Sequence, residues 1–168
     1  MILYRFNMDG SPDLSFGSAG YITYDLSSGS DEDGSSIDMD GDKYVILGSH
    51  GYGTLLKAVM WRINNDGTYD TSFITDGYLL ISVLDQDYGT RGRNVKVKDW
   101  FYYFNATKLW PPMVNVIGRV TMDSQLDTSI GDSDTPGLIK LSLNHNVNFL
   151  EHDGYFEFDQ NNNLIGST

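Results

Sequence analysis

Apolar and charged residues alternate strictly in three short stretches: Ile37-Asp38-Met39-Asp40, Val95-Lys96-Val97-Lys98 and Phe156-Glu157-Phe158-Asp159. A period of two puts successive side chains on opposite sides of an extended backbone, the signature of a half-buried strand. Each stretch is followed by a turn and a second apolar run: Tyr44-Val45-Ile46-Leu47-Gly48-Ser49, Phe101-Tyr102-Tyr103-Phe104 and Leu164-Ile165-Gly166-Ser167. A longer run, Leu55 to Ile63, ends around Arg62, and another strand is expected after each of Gly20, Gly77 and Gly137. No segment sustains a helical period. The pattern predicts four short antiparallel strands per unit, in an all-β chain.

The units are copies of one another. Tyr4-Arg5-Phe6-Asn7-Met8-Asp9-Gly10-Ser11-Pro12-Asp13-Leu14-Ser15-Phe16 returns as Trp61-Arg62-Ile63-Asn64-Asn65-Asp66-Gly67-Thr68-Tyr69-Asp70-Thr71-Ser72-Phe73. It returns again, more worn, from Gly118-Arg119-Val120 through Asp123 and Asp127 to Ser129-Ile130. The arginines fall 57 residues apart each time, and such a fixed period marks a repeat architecture. The chain therefore reads as one repeat domain, 1–168, with approximate repeats 1–57, 58–114 and 115–168. Asp9-Gly10 and Asp66-Gly67 predict a tight turn, with glycine supplying positive φ. The second aspartate (Asp13, Asp70, Asp127) precedes a serine by two residues, a spacing that suits carboxylate capping of backbone N–H groups. Phe16, Phe73 and Ile130 are expected to anchor that loop on the core.

Composition narrows the partners. With 23 acidic against 11 basic residues the net charge is −12, which repels nucleic-acid backbones and anionic membrane surfaces. Hydrophobic content of 40% and aromatic content of 13% argue for a packed core. There is no cysteine, so disulfides, thiolate catalysis and cysteine zinc sites are excluded. No run approaches the roughly 20 apolar residues of a membrane helix. The opening Met-Ile-Leu-Tyr-Arg-Phe lacks the layout of a signal peptide.

The run Arg-x-Asn-x-Asp-Gly-[Ser/Thr]-x-Asp-x-Ser-Phe, then Gly and a strand, resembles the repeat of the delta-sixty β-propeller family. Arg5 to Gly20, Asp40 to Gly48 and Arg62 to Gly77 carry the likeness. The third copy departs from it, with Ser124 for Gly, Ile130 for Phe and an insertion before Gly137. The resemblance implies four-stranded antiparallel blades, an extracellular, cell-surface or virion setting, and no catalytic residues. A β-trefoil, also built from three four-stranded repeats, is the alternative. Propellers usually close with about four to eight blades, so three repeats with strands offset from the chain ends suggest a ring completed by protein partners or further copies of the chain.

Candidate chemistry is sparse. Asp38-Met39-Asp40-Gly41-Asp42 invites a calcium reading, but the EF-hand loop needs Gly at its sixth position and Glu at its twelfth. Here Gly41 is fourth and Ser49 twelfth, so no metal is expected, and no cofactor. Arg5, Arg62 and Arg119 could recognise carboxylate or phosphate. Their recurrence in every repeat points instead to a structural partnership with Asp13, Asp70 and Asp127 or with loop carbonyls of the same repeat. His50, His145 and His152 share no regular spacing, and no nucleophile elbow or phosphate loop accompanies them. The most distinctive unrepeated feature is Trp100-Phe101-Tyr102-Tyr103-Phe104 with Trp110-Pro111-Pro112. Read as an aromatic strand, it offers Trp100, Tyr102, Tyr103 and Trp110 as candidate binding residues for a partner chain or a sugar ring; core packing is the other reading. Asn105-Ala106-Thr107 matches a glycosylation acceptor pattern. The expected function is a non-enzymatic scaffold or assembly module, with adhesin-like recognition of glycan or protein as the alternative.

Overall fold

The computed structural model describes residues 1–83, 89–109, 113–131, 133–141 and 155–167. Among these residues there are twelve strands: β1 (Ile2–Tyr4), β2 (Tyr21–Thr23), β3 (Glu32–Asp40), β4 (Lys43–His50), β5 (Lys57–Ile63), β6 (Tyr78–Ile81), β7 (Thr90–Lys98), β8 (Phe101–Lys108), β9 (Val114–Thr121), β10 (Leu138–Leu141), β11 (Tyr155–Phe158) and β12 (Leu164–Ser167). Among the described residues the only helical segment is a 3₁₀ turn at Gly53–Leu55. Two sheets are complete four-stranded meanders, β3-β4-β5-β6 and β7-β8-β9-β10. They are flanked by two two-stranded sheets, β1-β2 and β11-β12. All pairing is antiparallel. Stacked four-stranded meanders are propeller-type blades, and this is the architecture in place of the trefoil.

Each blade repeats its irregularities as well as its strands. β3 carries a bulge between Gly34 and Ser36, and β7 carries one between Gly92 and Asn94. Bulges bend and twist a strand, and here both lie on the first strand of a blade. By register β1-β2 matches β5-β6, the second half of a blade. β11-β12 matches β3-β4, the first half.

The core lies between blades, not within one. Val45, Leu47, Ala58 and Met60 point from one face of β4-β5 towards Val95, Tyr102, Phe104, Ala106, Val116 and Val120 of the next blade. From the opposite face Ile46, Val59, Trp61 and Ile63 meet Leu3 of β1, Ile22 of β2 and Tyr24 just beyond it. Both faces of β4 and β5 are therefore covered, and their sequences are apolar without alternation, as expected of doubly buried strands. Polar links join the first strands. Asp38 Oδ2 accepts the Val97 N–H at 2.8 Å, and Ser36 Oγ accepts the Val95 N–H at 3.2 Å. Asn94 Nδ2 donates to the Phe156 carbonyl at 2.9 Å. Side chains of one blade thus satisfy backbone groups on the strand edge of its neighbour.

One sequence expectation changes here. Trp100 is not in the aromatic strand but in the β7–β8 turn, with φ +71° beside Asp99 at φ +49°. The hairpin closes with two left-handed residues, a turn that glycine would normally serve. The strand begins at Phe101 and runs on to Lys108.

Candidate functional site

The repeated arginine organises the best-defined polar cluster. In the second copy β5 carries Arg62 to the end of the blade, where the loop Asn64–Gly77 folds back over it. Nε donates to Asp70 Oδ2 at 2.6 Å and Nη2 to Ser72 Oγ at 3.1 Å. Nη1 reaches into the next blade, to the Tyr102 hydroxyl at 2.7 Å and the Met122 carbonyl at 3.5 Å. The guanidinium lies 4.9 Å from the centre of the Phe73 ring, and Asp40 stands 3.6 Å away. Asp70 is buried and saturated: its other oxygen takes the N–H and hydroxyl of Ser72, and Lys43 Nζ sits 2.6 Å from Oδ2. Burial alone would raise this carboxyl, but the Lys43, Ser72 and Arg62 donors outweigh it and hold Asp70 well below the usual carboxylate range. Burial, with Asp40 beside it, pushes the Tyr102 phenol well above its ordinary value.

The first copy repeats the arrangement nearer to solvent. Arg5 bonds Asp13 at 2.8 Å and Ser15 at 3.2 Å, then crosses to the Asn65 carbonyl at 2.7 Å and the Tyr44 hydroxyl at 3.3 Å. The carbonyls these arginines reach belong to the following repeat, not to their own. The motif therefore fastens each loop to the next blade as well as closing it. In the third copy Arg119 bonds Asp127 at 2.6 Å and Ser129 at 3.1 Å. Among the described residues it reaches no following loop; Nη1 bonds the Tyr103 hydroxyl at 3.3 Å within its own sheet. With Ile130 where the other copies have phenylalanine, Arg119 stacks on Phe101 instead, 4.1 Å from the ring centre. Asp9 and Asp66 accept the N–H and hydroxyl of Ser11 and Thr68 in exposed turns, and Asp123 accepts the Thr121 hydroxyl at 2.5 Å.

The aromatic candidates separate. Tyr102 is fully buried between blades and is closed to a ligand. Tyr103 is half-buried, 4.9 Å from Phe158. Trp100 is 81% exposed at its hairpin tip. Trp110 lies outside the described residues, as do His145 and His152. Asn105 is buried with Nδ2 donating to the Val116 carbonyl, which removes it as a glycan acceptor. Asp38 and Asp40 are engaged across the blade boundary, with Val97 and with Tyr102. His50 Nδ1 lies 2.8 Å from Glu32 Oε1.

What the sequence did not suggest is an open apolar face. Val59, Trp61 and Ile63 of the second copy are 0% exposed, yet their first-copy counterparts Ile2, Tyr4 and Phe6 are 51%, 55% and 59% exposed. Tyr4 stacks on Phe6 and leans on Tyr21, so these rings form a contiguous patch. At the far side Ile139, Ile165 and Tyr155 are likewise exposed. Among the described residues no strand pairs with the second edge of β1 or of β12.

A family model described as the DUF5122 beta-propeller domain of unknown function matches residues 1–16 and 42–73. Those stretches contain Arg5, Asp13 and Phe16 and their counterparts Arg62, Asp70 and Phe73. The match and the stacked four-stranded sheets together define a β-propeller-type module. No curated protein and no solved structure matches the chain.

Proposed function

We propose that this chain is a non-enzymatic scaffold of the delta-sixty β-propeller kind, which joins protein chains within an extracellular, cell-surface or virion assembly. The observation that carries this reading is the patch of Ile2, Tyr4 and Phe6. Residues at these positions are wholly buried by a neighbouring blade in the second copy, and exposed apolar patches mark interaction sites. The absence of a catalytic role is supported by the best polar cluster, in which Arg62, Asp70, Lys43 and Tyr102 consume one another's hydrogen-bonding capacity. Multi-angle light scattering tests the reading. It expects a particle heavier than one chain, returned to one chain by Phe6→Asp. A one-chain particle at every concentration tested would overturn it.

One observation favours recognition as a second reading. A large exposed ring held in left-handed backbone is costly, and such outliers persist where function maintains them. Trp100 fits that description and could stack on a sugar or a partner side chain. A glycan array probed with the protein and with Trp100→Ala checks it; identical silence from both would sink it.

A further inference from the structure

At the end of the blades away from the Arg62 clasp, a cavity of about 560 Å³ opens between the two complete sheets. It is lined by Asp31 and Asp33 around the start of β3, Tyr52 and Leu56 between β4 and β5, Arg91 at the start of β7 and Leu109 just beyond β8. Its size lies within the range of about 300–1,000 Å³ usual for small-molecule sites. We infer that this cavity binds an uncharged sugar ring. The inference is independent of the joining role and of Trp100, which sits at the opposite end of β7 and β8.

The walls are fixed by backbone bonds. Gly51 N–H donates to the Asp31 carbonyl at 3.0 Å, and Thr90 N–H donates to the Leu56 carbonyl at 2.7 Å. Gly51 and Gly53 take φ +93° and +56°, and a Cβ on Gly89 would stand 2.5 Å from the Gly53 carbonyl oxygen. The link between β4 and β5 is thus pressed against the start of the next blade, and the cavity is formed before a ligand arrives.

Its charged groups are not consumed by one another, unlike those of the clasp. Arg91 Nε is buried and meets no acceptor among the described residues, a rarity that calls for a cause. Asp31 and Asp33 are exposed, and Asp33 Oδ1 takes one long bond, from Ser35 Oγ at 3.5 Å. Asp33 and Arg91 are repeat counterparts. Each stands one residue before the glycine at which the first strand of its blade bulges, Gly34 or Gly92, and they pair with Ser49 and Thr107. Arg5, Arg62 and Arg119 recur because every repeat needs them. A position whose charge reverses between neighbouring blades serves no such shared purpose.

Carboxylates accept hydrogen bonds and a guanidinium only donates them. A cationic ligand would meet Arg91, and an anionic one would meet Asp31 and Asp33 in a chain of net charge −12; each is disfavoured by like charge. The lining suits a ligand that both gives and takes hydrogen bonds without carrying charge, as neighbouring hydroxyls do. Tyr52 is 63% exposed and offers a flat face, with Leu56 and Leu109 as the apolar surround. A pyranose carries hydroxyls around its rim and C–H groups on its faces. It stacks on Tyr52 while its hydroxyls donate to Asp31 and Asp33 and accept from Arg91.

Saturation-transfer NMR on the whole chain tests the site with methyl glucoside, methyl galactoside, methyl mannoside and N-acetylglucosamine, with sialic acid as the charged control. The expected result is transfer to at least one neutral sugar, none to sialic acid, and amide shifts at Gly51, Gly53 and Gly89 on titration. Tyr52→Ala and Asp33→Asn change exposed positions, and circular dichroism checks that each variant is folded. Each should weaken binding by about tenfold, while Trp100→Ala should leave it unchanged. Silence from every neutral sugar, stronger transfer to sialic acid, shifts confined to other amides, or binding indifferent to both variants overturns the inference. None of these outcomes alters the particle mass that tests the joining role.

Discussion

Replacing Asp70 with asparagine keeps the shape of the side chain and removes its charge. Two donors converge on Oδ2, Arg62 Nε and Lys43 Nζ, each at 2.6 Å. Arg62 is 7% exposed, so the loss leaves a guanidinium away from water with its nearest remaining carboxylate, Asp40, at 3.6 Å. Deleting one partner of a buried pair costs about 3–5 kcal/mol. Asp40 stays in place and Lys43 can turn towards solvent, which puts the expected loss near the lower end, about 3 kcal/mol. With a urea slope of ~2 kcal/mol per molar, the unfolding midpoint should fall by roughly 1.5 M. Asp13→Asn in the open first copy should shift it far less, because that pair is solvated and screened. The difference has a pH signature. Asp70 is depressed in the folded state relative to about 3.9 unfolded, so its stabilisation is complete above pH ~4 and drains away as the pH falls below that. Wild type and Asp70→Asn should therefore converge in acid. An Asp70→Asn loss no larger than that of Asp13→Asn, or a gap that does not narrow as the pH is lowered below about 4, would refute the clasp as a stabilising element.

Further consequences can be checked by the same denaturation experiments. Gly67→Ala combines φ +88° with a clash against Ile22, and should cost about 1–2 kcal/mol of backbone strain plus ~1–3 of overpacking. Gly10→Ala, at φ +84° with free space around it, should cost the strain alone in an isolated chain; equal losses would contradict the packing of β2 on the next blade. Trp100→Gly should raise stability by about 1 kcal/mol, because it relieves a left-handed residue in a two-residue hairpin turn; a lower melting temperature would mean that the ring packs. Asn94→Ala removes the donor to the Phe156 carbonyl and the acceptor for Ser36. It should cost about 1–3 kcal/mol, and amide exchange should quicken in β11 first; unchanged exchange there would argue against this link holding the blades together.

The pattern of hydrophobic and charged residues is a good guide to strands and a poor one to the spaces between blades. The period-two stretches at Ile37, Val95 and Phe156 mark β3, β7 and β11; Val95 and Phe156 are buried as that period implies, whereas in β3 the apolar Ile37 and Met39 are exposed and Asp38 and Asp40 face the next blade. The doubly covered β4 and β5 were legible as apolar runs. The 57-residue spacing led to the arginine and second aspartate together, since both belong to one loop. What was not legible depends on contacts between repeats. Nothing near Arg62 in sequence points to Tyr102 or Met122, which lie 40 and 60 residues on. Trp100 read as strand because it abuts aromatic residues and its turn has no glycine. The exposure of Ile2, Tyr4 and Phe6 is invisible to any reading that treats equivalent positions as equivalently buried.

The worn third copy gains meaning on the same terms. An internal boundary is held by a tyrosine hydroxyl, Tyr44 or Tyr102, that receives the preceding repeat's arginine. At β12 that position is Leu164, and Arg119 has turned back to Tyr103 and Phe101. The third clasp is thus closed by Asp127 and Ser129, and Phe101 of the adjoining strand β8 takes the place over the guanidinium that Phe16 and Phe73 hold over Arg5 and Arg62. Exchanging phenylalanine for Ile130 in the loop therefore does not leave the arginine without a ring; it moves the ring from the loop to the sheet.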